Sequence, residues 1–415
     1  MLTLLFLAFL LCDVILRFWL GLRQIRHVYR HQDQVPAEFT DRISLHSHQR
    51  AARYTIARTR LGLIERLVEA ILLLALTLLG GLQWLDVALA RLIDHEMLRQ
   101  LLLIGAVLAI MGVAGLPFAW YRKFVLEARF GFNRMTPGLF IADTLKALAL
   151  VLALGAPLCA ALLGFMAWAG PSWPWYGWGL WVAFNLLVLW LYPRVIAPLF
   201  NSFKPLEDEQ LRARITALAQ RCDFHADGLY VMDGSRRSAH GNAYFTGLGR
   251  NKRIVFFDTL LNKLQATEIE AVLAHELGHF KHRHIQRRLL ISLLSSLAFF
   301  LLAGWAWSQV SFYTSLGVIP QLGRPNDALA LILFFLVVPT FTFWMGPLAA
   351  YFSRRDEYQA DRFAADHSQS GELISALLKL YNDNAATLTP DPLHSAFYDS
   401  HPNAIDRVRH LKSLA

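Results

Sequence analysis

The sequence predicts a mainly α, multi-pass membrane protein with seven transmembrane helices and a small α+β segment, on three observations. Of its 415 residues, 55% are hydrophobic and 17% are charged, whereas soluble globular chains carry about 25% charged residues. Seven apolar stretches are long enough, or nearly so, to cross a hydrocarbon core of about 30 Å. One substantial polar segment, 200–287, separates the fifth stretch from the sixth.

The seven predicted spans follow one another with polar loops between them. We place them near 1–22, 67–89, 101–121, 141–168, 178–199, 288–310 and 328–350. The first stretch lacks a basic start, contains Asp13 and Arg17, and leads directly into further spans. We therefore interpret it as a membrane anchor rather than a signal peptide.

Basic residues orient the predicted bundle. The chain has a net charge of +9, and its Lys and Arg residues cluster beside the apolar stretches, which indicates a topology signal. No basic patch with interleaved aromatics stands apart from these flanks, so we expect no nucleic-acid partner. The loops after the first, third, fifth and seventh spans are basic, while residues 169–177 carry no charge. We therefore expect the N-terminus outside and the C-terminus and polar segments on the cytoplasmic face.

The polar segment 200–287 predicts the α+β part of the fold. Its patterns indicate a helix over 206–222, a strand over 228–235 and a hairpin over 240–261 with Gly249-Arg250-Asn251 at its turn. A further helix begins with Thr267 and Glu270 as a capping box and runs towards the sixth span. Residues 368–395 indicate a helix followed by a proline-containing loop. The predicted organisation is 1–199 with five spans, 200–287 with the α+β segment, 288–350 with two spans, and 351–415 as a C-terminal segment.

The stretch H-E-L-G-H over residues 275–279 is typical of a metal site. His275 and His279 lie four residues apart, so on a helix they share one face about 6 Å apart along the axis and can bind one zinc ion. Glu276 is rotated about 100° from His275 and can reach a water at the metal without becoming a ligand. Gly278 costs a helix about 1 kcal/mol, so we expect close approach there by substrate or by another segment. The alternative interpretation is a surface helix with incidental histidines.

A catalytic zinc ion needs a third protein ligand and an open fourth position. Spans six and seven return the chain to the same face, so residues 351–367 must lie near the motif helix. Within them, Glu357 and Asp361 share a helical face. One of the two can bind the metal while the other orients a ligating histidine, and the spacing leaves open which does which. The alternative for these carboxylates is surface pairing with Arg354, Arg355 and Arg362.

Four further histidines lie close to these motifs in the sequence. His282 and His284 lack the four-residue spacing from His275, so we expect them to be solvated at the membrane interface. His394 and His401 belong to what we interpret as a short polar loop with a proline, far from any apolar face. A histidine there can stabilise an oxyanion or cap a turn, and both interpretations stay open.

Taken together, these motifs resemble the type I CAAX prenyl protease family of zinc metallopeptidases. The similarity extends over nearly the whole chain. It rests on H-E-L-G-H (275–279), R-x-x-E-x-x-A-D (354–361), Ser400-His401-Pro402 with Arg407 downstream, FVLEARFGFNRMT (124–136), PLFNSFKPLEDEQL (198–211) and GNAYFTGLGRNKRIVFFDTLL (241–261). The resemblance implies a ring of seven tilted helices around a water-filled intramembrane chamber, with a small gluzincin-like α+β zinc-peptidase domain. Charged residues inside the predicted spans fit such a chamber, because lipid tolerates them poorly: Asp13, Arg17, Asp86, Asp143 and Lys146.

The resemblance also implies a role for each matched residue. The roles are zinc ligand for His275, His279 and Glu357, general base for Glu276, carboxylate support for Asp361, pairing with an extended substrate peptide for Asn242 and Ala243, and oxyanion contact for His401 and Arg407. The implied cofactor is one Zn²⁺ per chain. The implied partners are the lipid bilayer and a peptide or protein substrate, lipidated or not.

The implied function is a membrane-embedded zinc metalloendopeptidase that cleaves near the C-terminus of membrane-associated substrates. The compact loops favour a bacterial member in the inner membrane, where prenylated CAAX substrates are not expected. A second candidate is a quality-control protease that trims damaged membrane proteins. A third, from another class, is a seven-span transporter with a regulatory metal site, which leaves Glu276 unexplained. Chelator-sensitive proteolysis distinguishes the proteases from the transporter.

Overall fold

A computed structural model describes residues 1–224, 228–246, 253–321 and 323–414. Most of these residues are helical. The helices are α1 Leu2–Arg30, α2 Leu45–Leu76, α3 Gly81–Leu92, α4 Glu96–Trp120, α5 Pro137–Leu150, α6 Ala156–Ala169, α7 Trp173–Leu191, α8 Ala197–Phe200, α9 Glu209–Arg221, α10 Asp258–Leu261, α11 Ala266–Lys281, α12 His284–Trp307, α13 Val310–Ser315, α14 Asp327–Thr342, α15 Gly346–His367, α16 Ser370–Asp383, α17 Pro392–Tyr398 and α18 Ala404–Ser413. The strands are β1 Phe203–Pro205, β2 Gly228–Met232, β3 Ala243–Thr246 and β4 Arg253–Phe257.

Long apolar helices establish the multi-pass membrane class. Among the described residues, five helices are long and apolar enough to cross a membrane: Leu2–Arg30, Glu96–Glu127, Pro137–Phe200, His284–Trp307 and Asp327–His367. They expose large apolar side chains along their lengths, as lipid contact requires, among them Leu11, Leu108, Leu145, Leu186 and Leu294. By this criterion the count is five rather than the predicted seven.

Two of the predicted spans, 141–168 and 178–199, fall within the single helical run Pro137–Phe200. This run is not straight, because Gly170 has φ +50° and α6 packs against α7 on either side of it. Turns of π-helix at Val151–Gly155 and Tyr192–Ile196 interrupt the run further. The helical run Pro137–Phe200 therefore consists of two segments that pack against each other.

The bounds predicted for the second span, 67–89, are wrong. The helix that carries it begins far upstream at Leu45 and ends at Leu76, and a new helix begins at Gly81. Gly80 has φ +79°, in the left-handed region that favours glycine. Leucines continue on both sides of this break, so an apolar pattern alone does not reveal it.

The polar segment forms a four-stranded sheet among the described residues, in the order β1-β2-β4-β3. The predicted hairpin pairing is confirmed, since β3 runs antiparallel to β4 with Ala243 opposite Phe256. Its predicted turn at 249–251 lies outside the described residues. β2 pairs parallel with β4 and antiparallel with β1. The three-residue strand β1 was not predicted, because it is too short to show an alternating pattern.

One core joins this sheet to the helices around it. Ile254 and Phe256 of β4 pack in the same buried cluster as Leu218 of α9, Leu273 of α11 and Ala376 of α16. The helix predicted over 206–222 is α9, which Asp208 caps by accepting a hydrogen bond from the Leu211 amide. Helix α11 therefore packs against both the sheet and α9.

The predicted start of α11 is wrong in detail. The capping box is formed by Gln265 and Glu268, whose carboxylate accepts a hydrogen bond from the Gln265 amide at 2.7 Å. Thr267 instead donates its hydroxyl to Glu372 of α16 at 2.9 Å. Tertiary contacts with α16 thus decide which polar side chains cap the helix.

Candidate active site

The site is built where α11 packs against α15. His275 and His279 lie on one face of α11, with ring centroids 5.0 Å apart and ring planes at 85°. Glu357 of α15 faces both rings: its Oε2 lies 3.4 Å from Nε2 of His275, and its Oε1 lies 3.3 Å from Nε2 of His279. Three donors from two helices therefore converge on one point.

These three residues fit a zinc ion. Ligands about 2.05 Å from a tetrahedral zinc ion lie about 3.3 Å from one another, which matches both nitrogen–oxygen distances. Oε2 of Glu357 is buried and makes no hydrogen bond; His401 Nδ1 lies 2.7 Å away but outside hydrogen-bonding geometry. A buried carboxylate oxygen without a hydrogen bond is the donor a cation would satisfy. Within the described residues, His275, His279 and Glu357 are the group whose ligand atoms all lie within 4.8 Å of one another.

Asp361 lies behind the donor set, one helical turn from Glu357. Its side chain is fully buried, and its Oδ1 lies 2.8 Å from Nδ1 of His275. Arg407 of α18 donates to both carboxylate oxygens, at 2.7 Å to Oδ1 and 2.9 Å to Oδ2. The Asp361 carboxylate is therefore paired on one side with an imidazole and on the other with a guanidinium. Neither Glu357 nor Asp361 makes the surface pairing with arginines on its own helix that was the alternative.

The structure places Arg407 on the buried side of the site. Its side chain is 7% exposed, and its Nη2 lies 3.2 Å from both ring nitrogens of His275 and 3.8 Å from Glu357 Oε2. Burial works against the charge on Arg407, but the neighbouring Asp361 carboxylate outweighs this and holds the pKa of Arg407 above its ordinary value. The guanidinium thus remains charged and offsets the buried carboxylates.

Opposing influences act on the pKa of His275. Burial and the Arg407 charge lower it, while the neighbouring carboxylates of Asp361 and Glu357 raise it, and the net effect is a raised pKa. Without a cation, the two carboxylates therefore favour a proton on this ring. A metal ion bound by Nε2 would replace that proton, since a ligating imidazole is neutral.

Glu276 is half-buried on α11 beside the donor set. Among the described residues, no hydrogen bond or ion pair involves its side chain, in contrast to Glu357, Asp361 and Glu268. A carboxylate with no fixed partner can take up and release a proton without first breaking a contact.

Of His394 and His401, the two histidines considered as oxyanion or turn-capping residues, only His401 reaches the site. It is 63% exposed, with Nδ1 2.7 Å from Oε2 of Glu357. His394 lies in the short helix α17 rather than in a loop, with its ring against Tyr398 and its Nδ1 buried without a hydrogen bond. Arg354 donates to the backbone carbonyl of Asp399 at 2.8 Å and so ties α15 to the loop that presents His401.

The expectation for His284 is wrong. His282 is exposed, as predicted, but His284 is 1% exposed. Its Nδ1 lies 3.0 Å from Nδ1 of His279, and its Nε2 lies 2.8 Å from Oε1 of Gln359. Helical periodicity could not reveal these contacts, because Arg283, with φ +57°, turns the chain between α11 and α12. In the sequence, the one weak sign that Gln359 lies near the site is its position between Glu357 and Asp361.

Gly278 permits the close approach that its sequence context predicted. A methyl group there would lie 3.0 Å from Cα of Ala360 and 3.0 Å from Cβ of Phe363. The approaching segment is therefore α15, the helix that carries Glu357.

Asn242 and Ala243 lie at the start of β3, an edge strand among the described residues. The Asn242 carbonyl accepts a hydrogen bond from the Phe257 amide at 2.9 Å, and its side chain accepts one from the Ala243 amide at 2.9 Å. Ala243 packs at the border of the core that also contains Leu273 and Leu277 of α11. The edge strand and the motif helix thus share one core.

The fold and the site together define a multi-pass membrane metallopeptidase with Zn²⁺ as its expected cofactor. Two family models match: one described as CAAX prenyl protease N-terminal, five membrane helices, over residues 24–202, and Peptidase family M48 over residues 205–415. The chain belongs to peptidase family M48, with the membrane-helix region found in CAAX prenyl proteases.

Curated relatives and a solved structure agree with this assignment. The chain is 32% identical to CAAX prenyl protease 1 homolog of Arabidopsis thaliana, over 97% of this chain and 95% of the relative. It is 36% identical to CAAX prenyl protease 1 of Saccharomyces cerevisiae, over 75% of this chain and 71% of the relative. The crystal structure of S. mikatae Ste24p superimposes with a TM-score of 0.91 at 30% identity, covering 99% of this chain and 98% of that chain.

These relatives are eukaryotic. The plant relative aligns along nearly its whole length, so compact loops do not separate this chain from eukaryotic members. The expectation of a bacterial origin therefore gains no support from the comparisons.

Proposed function

We propose that this chain is a membrane-embedded zinc metalloendopeptidase that hydrolyses peptide bonds near the C-terminus of CAAX-type, membrane-associated proteins. The main observation for the chemistry is the convergence of His275, His279 and Glu357 next to Glu276, whose carboxylate makes no hydrogen bond or ion pair among the described residues. The proposed substrate class rests on the relatives named as CAAX prenyl proteases.

In this proposal His275, His279 and Glu357 hold one Zn²⁺, and Asp361 fixes the His275 ring through its 2.8 Å contact. When bound, the ion supplies Lewis acidity to the scissile carbonyl and to the attacking water. We assign to Arg407 the support of Asp361 rather than contact with the oxyanion, since its guanidinium already bonds both Asp361 oxygens. His401, exposed at the edge of the site, is the side chain able to donate to the developing oxyanion.

Glu276 is the proposed general base. Its carboxylate takes one proton from water as the water oxygen bonds to the peptide carbonyl carbon. When the carbon–nitrogen bond breaks, Glu276 returns that proton to the leaving amine. The carboxylate is thus regenerated, and the products are a new carboxyl terminus and a free amine.

The substrate peptide is proposed to lie extended along β3, where Asn242 and Ala243 stand at an edge of the sheet. Addition of a strand to such an edge uses main-chain hydrogen bonds and therefore demands little of the substrate sequence. Selection of a substrate would then depend on its attachment to the membrane and on its C-terminus. Recognition of a lipid group on the substrate is part of the same proposal.

The proposed architecture keeps seven crossings around an intramembrane chamber, with the divisions 1–199, 200–287, 288–350 and 351–415. Support comes from α6 and α7, which pack together within the run Pro137–Phe200, and from the apolar C-terminal end of α2, residues 70–76. The predicted topology has the N-terminus outside and the site on the cytoplasmic face. Residence in a bacterial inner membrane remains a prediction that rests on loop length alone.

Glu276→Gln tests the mechanism. We expect the purified variant to retain zinc and to lose at least about 100-fold in peptidase activity, because general base catalysis contributes about 10² to 10⁴. Glu270→Gln is the matched control, since Glu270 lies on the same helix but pairs with Arg214 and Arg221. A Glu276→Gln enzyme that cleaves a reporter peptide at the parental rate would refute the assignment.

The substrate class needs a separate comparison. The parent enzyme is offered a prenylated CAAX peptide, the same peptide without the lipid, and an unfolded membrane protein. Preference for the first supports the proposal, and preference for the last favours a quality-control protease. Absence of chelator-sensitive cleavage of all three would favour the transporter alternative.

A further inference from the structure

A buried histidine outside the donor set contacts one of its members. His284 begins α12, and its Nδ1 lies 3.0 Å from Nδ1 of His279. On the other side of the same ring, Nε2 lies 2.8 Å from Oε1 of Gln359. A chain of hydrogen bonds therefore runs from α15 through α12 to α11.

The direction of each bond in this chain follows from which nitrogen of His279 faces the other donors. That nitrogen is Nε2, which lies 3.3 Å from Oε1 of Glu357. To bind a cation, Nε2 needs its lone pair, so the single ring proton of neutral His279 sits on Nδ1. This N–H can only donate, and Nδ1 of His284 must accept. The proton of His284 then sits on Nε2, where Oε1 of Gln359 accepts it.

The surroundings hold His284 in this arrangement. The neighbouring Asp356 has its Oδ1 3.7 Å from His284 Nε2, beyond hydrogen-bonding distance. Its carboxylate is already paired with Arg287 and Arg288. Gln359 is therefore the acceptor for His284. Because Gln359 and His284 are both neutral, these hydrogen bonds add no charge to the site.

We infer that His284 and Gln359 are positioning residues that hold His279 in the tautomer and orientation required for metal binding. The inference rests on the proposed function, in which His279 is a ligand. Asp361 gives His275 the equivalent support through a carboxylate, so the two ligating rings have chemically different partners. A ligating histidine whose other nitrogen loses its partner typically binds metal about 10- to 100-fold more weakly.

Zinc affinity of the full-length chain in detergent, measured by competition with a chelator, tests this role without relying on activity. We expect His284→Leu to weaken zinc binding about 10- to 100-fold. We expect His284→Asn to recover most of the loss, because its Oδ1 can accept the His279 proton in place of Nδ1. Gln359→Leu should fall between these variants. His282→Leu is the matched control: the exposed His282 ring stacks on that of His284 but makes no hydrogen bond among the described residues, so this variant should bind zinc as the parent does.

The outcomes separate this inference from the proposed function. The inference is overturned if His284→Leu binds zinc as tightly as His282→Leu. It is also overturned if His284→Leu and His284→Asn lose the same zinc affinity, because an equal loss would indicate that the His284 ring acts only through packing. The melting temperature of each metal-free variant reports on folding. If His284→Leu does not fold, parental affinity in Gln359→Leu overturns the inference instead. His279→Ala tests the proposed ligand set, and full zinc content in this variant would refute that set. If His279→Ala loses zinc but His284→Leu keeps the parental affinity, only the positioning role is refuted.

Discussion

Glu357 is a buried carboxylate that faces imidazole rings on two sides and lies near one guanidinium. It is 3% exposed, it faces two imidazole nitrogens at 3.3 and 3.4 Å, and its Oε2 makes no hydrogen bond. The His401 ring, 2.7 Å from Oε2, and the Arg407 guanidinium, 3.8 Å away, partly offset its charge. A divalent ion between the three donors would offset that charge further and satisfy Oε2. This residue therefore links folding to metal binding.

Replacing Glu357 by Ala should remove the third donor and reduce bound zinc well below one ion per chain. His275 and His279 would remain, but two ligands hold zinc far more weakly than three. Elemental analysis of the purified protein measures the effect. Asp366→Ala is the control, since Asp366 is exposed on the same helix. Parental zinc content in Glu357→Ala would place the third ligand elsewhere.

The packing of α11 against α15 decides the site geometry at the scale of whole helices. The two helices approach closely because Gly278 has no side chain where Cα and the carbonyl oxygen of Ala360 lie. Backbone atoms cannot move aside as the end of a flexible side chain can. The separation of the histidines from Glu357 is therefore set by a glycine.

Gly278→Ala should force the two helices apart and weaken both stability and zinc binding. Overpacking of this kind costs about 1–3 kcal/mol, against a gain of up to about 1 kcal/mol in helix propensity. Gly371→Ala on α16 is the control, because a methyl group there meets no atom within 4 Å. Thermal unfolding and chelator competition measure the two effects. A variant as stable as the control and with parental zinc affinity would contradict this account.

A second tie joins α11 to α16 through Glu268. Its carboxylate accepts hydrogen bonds from Ser375 at 2.7 Å and from Lys379 at 2.8 Å. Burial opposes ionisation of Glu268, but Lys379, the Gln265 amide and Ser375 outweigh it and hold the pKa of Glu268 below its ordinary value of 4.5. The ionised form is thus favoured in the folded chain.

Stability from Glu268 should accordingly depend on pH. A lowered folded-state pKa stabilises the fold above pH 4.5, and this stability is lost as the pH falls through the folded-state pKa. We expect the parent to melt at a higher temperature than Glu268→Gln at pH 7 and the difference to shrink below pH 4.5. The metal-free proteins should be compared, so that release of zinc does not contribute. An equal difference at both pH values would exclude this linkage.

At the scale of the whole molecule, the apolar helices and the polar segments must agree on one topology. Five helices meet the length and composition criterion among the described residues, yet the helical run Pro137–Phe200 contains two packed segments. With the two crossings proposed for that run and one proposed for α2, the count would be the seven that the basic loops predict. The turn at 170–172 would then lie outside and residues 200–287 inside.

Single cysteines in a background without native cysteines test this topology in sealed, right-side-out membranes. Ser172→Cys should react with a membrane-impermeant maleimide, and Glu207→Cys should react only after the membrane is opened. Both positions are exposed, so a difference reports the side of the membrane rather than burial. Labelling of both residues from the same side would rule out the proposed crossing between them.

Local sequence patterns were enough to predict the membrane class, the positions of most apolar helices, the pairing of β3 with β4 and the placement of His275 and His279 on one helix face. These features follow from local patterns, because apolar length and helical spacing act over short stretches of chain. Helical spacing left open which of Glu357 and Asp361 faces the histidines; the family resemblance implied Glu357, and the packing of α15 on α11 places Glu357 there with Asp361 behind it. Only the tertiary structure showed that His284 is buried against His279 and that Arg407 bonds Asp361. Such contacts join residues on different helices, so they depend on how helices pack rather than on spacing within any one of them.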